Sequence, residues 1–337
     1  MIRLSSPIPG LIWTTPATMS GESSTADSNN ASNMSLNHVL TVAPPPFDDR
    51  SADLILRCSD NVDFHVHRSI LQISSPVFAS MFSLPQPAQS DNVIEVSDDS
   101  KMFYRLLSWI DPRGHLYLSD LEDAAAVLML AEKYDLQTVN TRLLAFVYAG
   151  REGLKRNPNE LFALGTRFHH EDLADFAARE LLRFPVTKWL DSPLLNLITG
   201  RDQQALMHYF FHCRQVVKSQ VKDWLQWVGS EDLVWRAAQL GWSHQCPFKL
   251  FEGKNYPEWW ILYQDAIGRS LWETPSADVL NTIENFAITS PAAHCTKCRP
   301  KYVSDLQTFN SLLADRLDTL IPRFSTWINE RTRGDDV

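Results

Sequence analysis

The chain has 337 residues, 44% hydrophobic and 21% charged, which allows about two domains with cores of their own and removes any need for a disulfide framework. Its net charge of −9 repels phosphate backbones, so the chain as a whole does not read as a nucleic-acid binder. Five cysteines at irregular spacing favour a reducing compartment, and no apolar run approaches the roughly 20 residues of a membrane helix. The N-terminal stretch, broken by Pro7, Pro9 and Pro16, lacks the continuous apolar centre of a secretory signal. A soluble protein of the cytoplasm or nucleus is expected.

Residues 1–46 are rich in Ser, Thr, Asn and Pro and end in Pro44-Pro45-Pro46. Such a segment buries too little apolar surface to offset its ordering entropy, so a disordered tail is expected there. Met19 and Met34 are alternative start positions. Order is expected from Phe47. Asp53-Leu-Ile-Leu-Arg-Cys58 reads as a strand, Ser59-Asp60-Asn61 as a turn, and Phe64-His-Val66 as the second arm of a hairpin. From His67 the apolar period becomes helical through Ile70, Leu71, Ile73, Val77, Phe78, Met81 and Phe82. Ser75-Pro76 restarts the helix, since Pro fits a first turn. His67 itself reads as a buried, hydrogen-bonded structural histidine.

Leu84 to Asp91 is a loop, and Val93 to Val96 is a third strand. Ser97 to Ser100 supply capping residues for a helix from about Lys101 to Trp109, stopped by Asp111-Pro-Arg-Gly114. Asp120 opens a longer helix to Tyr134, and a further one runs from about Leu136 to Tyr148. Helices capping one side of a small sheet make an α+β module.

Residues 151–337 read as mostly helical. Leu161, Leu164 and Phe168 face inward on one helix, and Leu173, Phe176, Ala177 and Leu181 on the next. Ser192-Pro193 opens a short helix. The longest is expected from about Asp202 to Val228, with Leu206, Phe210, Cys213, Val217, Trp224 and Val228 on one stripe. That stripe is either a coiled-coil seam or the packed face of an ordinary helix. Pro257 starts another helix, and Ser276 and Ser304 are candidate caps for two more. Eleven Trp, many after position 189, point to an aromatic core, with partner anchoring as the alternative for some.

One constellation here carries metal chemistry: His244-Gln-Cys246 with His294-Cys295-Thr-Lys-Cys298. Cys295 and Cys298 can reach one ion from a tight turn. Cys246 with His244 or His294 would complete a tetrahedral structural zinc site. Two thiols at this spacing also occur without metal or as a transient redox pair. His169-His170-Glu171 reads as a solvated turn between helices, and Arg333-Gly-Asp335 as a chance tripeptide. The sequence holds no Gly-rich phosphate loop, no Gly-x-Ser-x-Gly elbow and no His-Glu-x-x-His, so no enzyme is expected.

The spaced blocks Ser51-Ala-Asp53-Leu-Ile-Leu, Phe64-His-Val-His67-Arg68-Ser-Ile-Leu71 and Ser75-Pro-Val-Phe78-Ala-Ser-Met81-Phe82 resemble the BTB/POZ signature. The resemblance covers about residues 47–150. The stretch Phe82-Ser-Leu-Pro-Gln-Pro87 resembles fungal BTB proteins with helical C-terminal regions, and residues 151–337 loosely resemble the BACK extensions of this family. The resemblance implies a protein-interaction module and a homodimer, in which Asp53 and Arg68 line a charged pocket at the interface. A within-chain salt bridge is the alternative for the same two residues. The family also includes cullin-3 ubiquitin ligase adaptors and transcription-associated factors. The stretch after Phe82 has no Glu of the kind that supports cullin-3 recruitment. No zinc-finger array or basic helix for DNA is seen, so an interaction scaffold is the expected function.

Overall fold

The computed structural model describes residues 40–84, 92–114, 118–189, 192–229, 248–251, 254–282 and 302–334, with the main chain alone at 248–251, 254–255, 281–282 and 332–334. The chain divides into two compact units, Met1–Tyr117 with Met129–Val139, and Leu118–Leu128 with Asn140–Val337. The tail expected at 1–46 lies outside the described residues up to position 39. The strand β1 (Thr41–Val42) then precedes Phe47, where order was expected to begin.

In the first unit β1 is followed by β2 (Leu54–Arg57), β3 (Val62–Val66), α1 (Arg68–Ser74), α2 (Pro76–Ser83), β4 (Val93–Glu95) and α3 (Ser100–Ile110). Helices α4 (Leu121–Lys133) and α5 (Gln137–Gly150) are shared between the two units. The sheet order is β1-β3-β2-β4. β2 and β3 are antiparallel, with Leu54 opposite Val66 and Leu56 opposite Phe64. β1 runs parallel to β3, and β4 parallel to β2. The hairpin closes at Asn61, whose φ of 60° is a left-handed conformation that Asn tolerates.

Alternation puts Leu54, Leu56, Phe64 and Val66 on the buried face. Phe103 of α3 meets Phe64 edge-on at 5.8 Å, and Tyr134 at 5.8 Å. Burying each such side chain stabilises by about 1.5–3 kcal/mol. α3 starts where Asp99 accepts the Met102 N–H at 3.0 Å. Ser100 is also tied to Asp60 in the hairpin turn, its hydroxyl donating at 2.6 Å.

Ser75 is the joint of the unit. It is fully buried and its N–H closes α1 onto Leu71 O at 2.9 Å. Its hydroxyl accepts from Phe78 N–H at 3.0 Å, capping α2, and donates to the Tyr134 carbonyl at 2.6 Å. Ser75→Ala loses the cap and strands a buried carbonyl. The variant is expected to lose about 2 kcal/mol of stability in urea unfolding, and a loss under half of that would refute the bridging role.

The second unit contains α6 (Pro158–Arg167), α7 (Glu171–Leu181), α8 (Gly200–Lys222), β5 (Phe248–Phe251), β6 (Lys254–Pro257), α9 (Glu258–Glu273), α10 (Tyr302–Leu320) and α11 (Phe324–Gly334). Ser192 caps a short 3-10 turn, Pro193–Leu197, at the place expected. Thr199 and Asp202 form a reciprocal capping box that starts α8.

The expected stripe of α8 is buried within its own unit, as the packed face of an ordinary helix. The helix ends at Lys222 and not at Val228. Asp223 N–H closes onto Ser219 O at 2.8 Å, and the Trp227 indole N–H takes the Gln220 carbonyl at 3.0 Å. With those terminal carbonyls satisfied the chain turns into a 3-10 segment, Trp224–Gln226. Ser304 lies inside α10, which starts at Tyr302, so it is not the cap. The antiparallel pair β5–β6 was not expected in a helical region.

The core of this unit is aromatic. Trp224 meets Trp260 at 4.9 Å, and Trp260 meets Phe309 at 5.0 Å. Tyr263 hydrogen-bonds Asn310, whose amide donates to Leu280 O at 2.7 Å. Tyr209 packs on Phe324 and donates to Pro322 O at 2.9 Å. No described helix is long and apolar enough to cross a membrane.

Candidate functional site

The sequence singles out Asp53 and Arg68, and the structure brings them together in a particular way. Asp53 sits exposed just before β2. Its carboxylate accepts the main-chain N–H of Arg68, the first residue of α1, at 2.8 Å. An anion there satisfies one of the unpaired N–H groups of the helix and complements its dipole. The tie between strand and helix is therefore made through the backbone. Among the described residues no ion pair joins the two side chains. The Arg68 guanidinium instead lies over the Phe82 ring, 4.8 Å from its centre, and is half-buried. Phe82 stacks on Phe78 at 5.9 Å, and Phe78 on Tyr134 at 4.9 Å with planes 5° apart. This column fixes the guanidinium on a rigid aromatic base.

His67 precedes α1 half-buried, without the buried hydrogen-bonded setting expected for it, and its side chain makes no cap hydrogen bond. It lines a small cleft with Phe47, Ile70, Leu107 and Asp111. Burial would raise the Asp111 carboxyl, but hydrogen bonds from Arg113 outweigh it and hold the group below the usual carboxylate value. Tyr134 is pushed well up by burial and by its hydrogen bond to Asp98, at 2.5 Å.

The cysteines on the described residues are Cys58 and Cys213, both buried free thiols. Burial pushes each up to about 12, so neither is a thiolate at neutral pH. His244, Cys246, His294, Cys295 and Cys298, the expected zinc ligands, all lie outside the described residues. Among the described residues no group of three or more His, Cys, Asp or Glu stands ready for a metal ion. His169 and His170 form the turn between α6 and α7, as expected, with His169 at a φ of 56°, and Glu171 opens α7. His170 Nδ1 accepts the Leu173 N–H at 3.2 Å and caps α7. Asp335 of the terminal tripeptide lies outside the described residues.

Residues that sequence reasoning passed over are the apolar side chains the first unit leaves exposed. Ile73 on α1 is 88% exposed, Leu84 62%, Val42 56% and Leu40 54%. Leu40 and Val42 belong to the edge strand β1 and its start. The helical spacing took in Ile70, Leu71 and Ile73 alike. Only the two-residue offset of Ile73 from the buried Leu71 points it to another face of the helix.

A hairpin between parallel outer strands, helices on one face and a strand carboxylate capping the first helix together define the module. Residues 47–142 match the family model of the BTB/POZ domain, and this part of the chain is a BTB/POZ domain. Modules of this class bind other proteins. No curated protein matches the chain at a significant level.

Proposed function

We propose that the protein is a non-catalytic interaction scaffold of the cytoplasm or nucleus that pairs with a second copy of itself through its BTB/POZ domain. The observation that carries this is the exposed apolar surface on α1 and at the sheet edge, led by Ile73 at 88%. An edge strand with Leu40 and Val42 outward is a template for another chain, and large exposed apolar groups mark interaction sites. Arg68 supports the same reading. Its charge has no carboxylate partner within the described chain, while Asp53 spends its hydrogen bond on a main-chain donor. In a two-fold pair Arg68 of one copy would meet Asp53 of the other.

The test is the mass of the full chain by light scattering. Twice the 38.4 kDa of one chain is expected, falling toward 38.4 kDa in Ile73→Glu and in Arg68→Asp. Both variants should keep the parent's far-ultraviolet dichroism at room temperature, which shows them folded, while their melting falls with the lost association. A parent that runs as a monomer overturns the proposal. A dimer that survives Arg68→Asp removes the charged pair from the interface. No described feature favours a cullin-3 adaptor or a transcription-associated factor over this reading.

A further inference from the structure

The helical unit carries a groove that BTB pairing does not use. It runs between α8 and α9 and holds about 1050 Å³ of open space. Val217, Val221, Trp224, Trp260, Ile261 and Trp272 make its apolar lining. Arg214, Lys218 and Lys222 line it from α8. At a spacing of four residues the three cations share one helix face over about 12 Å.

The two lysine charges are not spent. Lys218 and Lys222 are exposed and have no ion-pair partner among the described residues. The Arg214 guanidinium is held by the groove itself: its Nε–H donates to the Trp272 carbonyl and it lies 4.0 Å from the centre of the Trp272 ring, with Lys218 Nζ 5.3 Å from the same ring. The one carboxylate lining the groove, Asp265, is already paired with Arg269 at 3.0 Å. A positive rim thus stands on a chain of net charge −9.

One further feature shapes the groove. In the stripe Trp260, Gln264, Gly268, Trp272 on α9, Gly268 leaves a gap. A Cβ added there would meet only Val221 Cγ1, at 3.8 Å.

We propose that this groove binds a segment of a partner protein in which large apolar side chains alternate with carboxylates. The apolar side chains seat against Trp272 and Ile261, beside the gap at Gly268, and the carboxylates meet Lys218 and Lys222. This goes beyond BTB pairing and does not depend on it.

The test selects random displayed dodecapeptides against the full chain and measures the enriched sequences as synthetic fluorescent peptides. Enrichment of Asp and Glu beside Phe, Leu or Trp is expected, with binding weakened by salt. Lys218→Glu should weaken binding by about tenfold or more, as should Gly268→Leu, which fills the gap. Gly268→Ala should bind like the parent. Lys218→Glu carries the test if Gly268→Leu does not fold. The proposal is overturned by no enrichment, by enriched peptides without acidic residues, or by peptides that ignore both variants. It is also overturned if the same variants abolish binding to phosphatidylserine vesicles or self-association while no peptide binds.

Discussion

Gly165→Val is expected to destabilise the helical unit by about 3 kcal/mol, and Gly165→Ala by about 2 kcal/mol. Gly165 lies inside α6 where that helix crosses α7. A Cβ there would stand 2.5 Å from Ala174 N and 2.9 Å from Ala174 Cα. Main-chain atoms cannot rotate away, so the two helices must part. Parting them loosens the packing of Leu161, Leu164, Leu173 and Ala177, all buried. In an open helix Ala would gain about 1 kcal/mol over Gly, so the sign of the change separates close approach from helix propensity. Urea unfolding of the full chain measures it. An alanine variant as stable as the parent would refute the account.

Asp175→Ala is expected to cost about 3 kcal/mol, for a different reason. Asp175 is a buried carboxylate on α7, 7% exposed. It accepts the Ser325 N–H at 2.6 Å, the Ser325 hydroxyl at 2.8 Å and the Arg323 Nε–H at 2.6 Å. It therefore caps the start of α11 from a neighbouring helix, with its charge at the positive end of the helix dipole. Removal leaves a first-turn N–H and a hydroxyl unpaired. Arg323 is 59% exposed and rehydrates, which keeps the cost at the low end for a broken buried pair. Asp172 touches the same arginine at 2.6 Å but is 59% exposed, so Asp172→Ala should cost under about 1 kcal/mol. Equal losses for the two alanine variants would count against the capping role.

The sequence was most readable where one local rule decides the structure. Alternation placed β2 and β3, and Ser75-Pro76 placed the restart of the helix. The serine cap at Ser192 was legible for the same reason. What stayed hidden depends on residues far apart in the chain. Gly165 is a lone helical glycine whose partner, Ala174, sits on another helix, and Asp175 works through residues about 150 positions away. β1 is two residues long and has no period to read. At the candidate site, Asp53 and Arg68 were legible as a pair through the spaced BTB blocks. That the carboxylate takes the main-chain N–H while the guanidinium goes to Phe82 is set by the extended backbone at His67 and by packing.

The tryptophans are divided unevenly between the two units. Trp109 in α3 is the only described one in the first unit, while Trp189, Trp224, Trp227, Trp259, Trp260, Trp272 and Trp327 belong to the second. Indole emission is therefore weighted to the helical unit, whereas peptide-bond dichroism records both units. The parent chain thus carries its own reporter of uncoupled melting: two curves that part would show one unit giving way before the other, with no label added and no cut made.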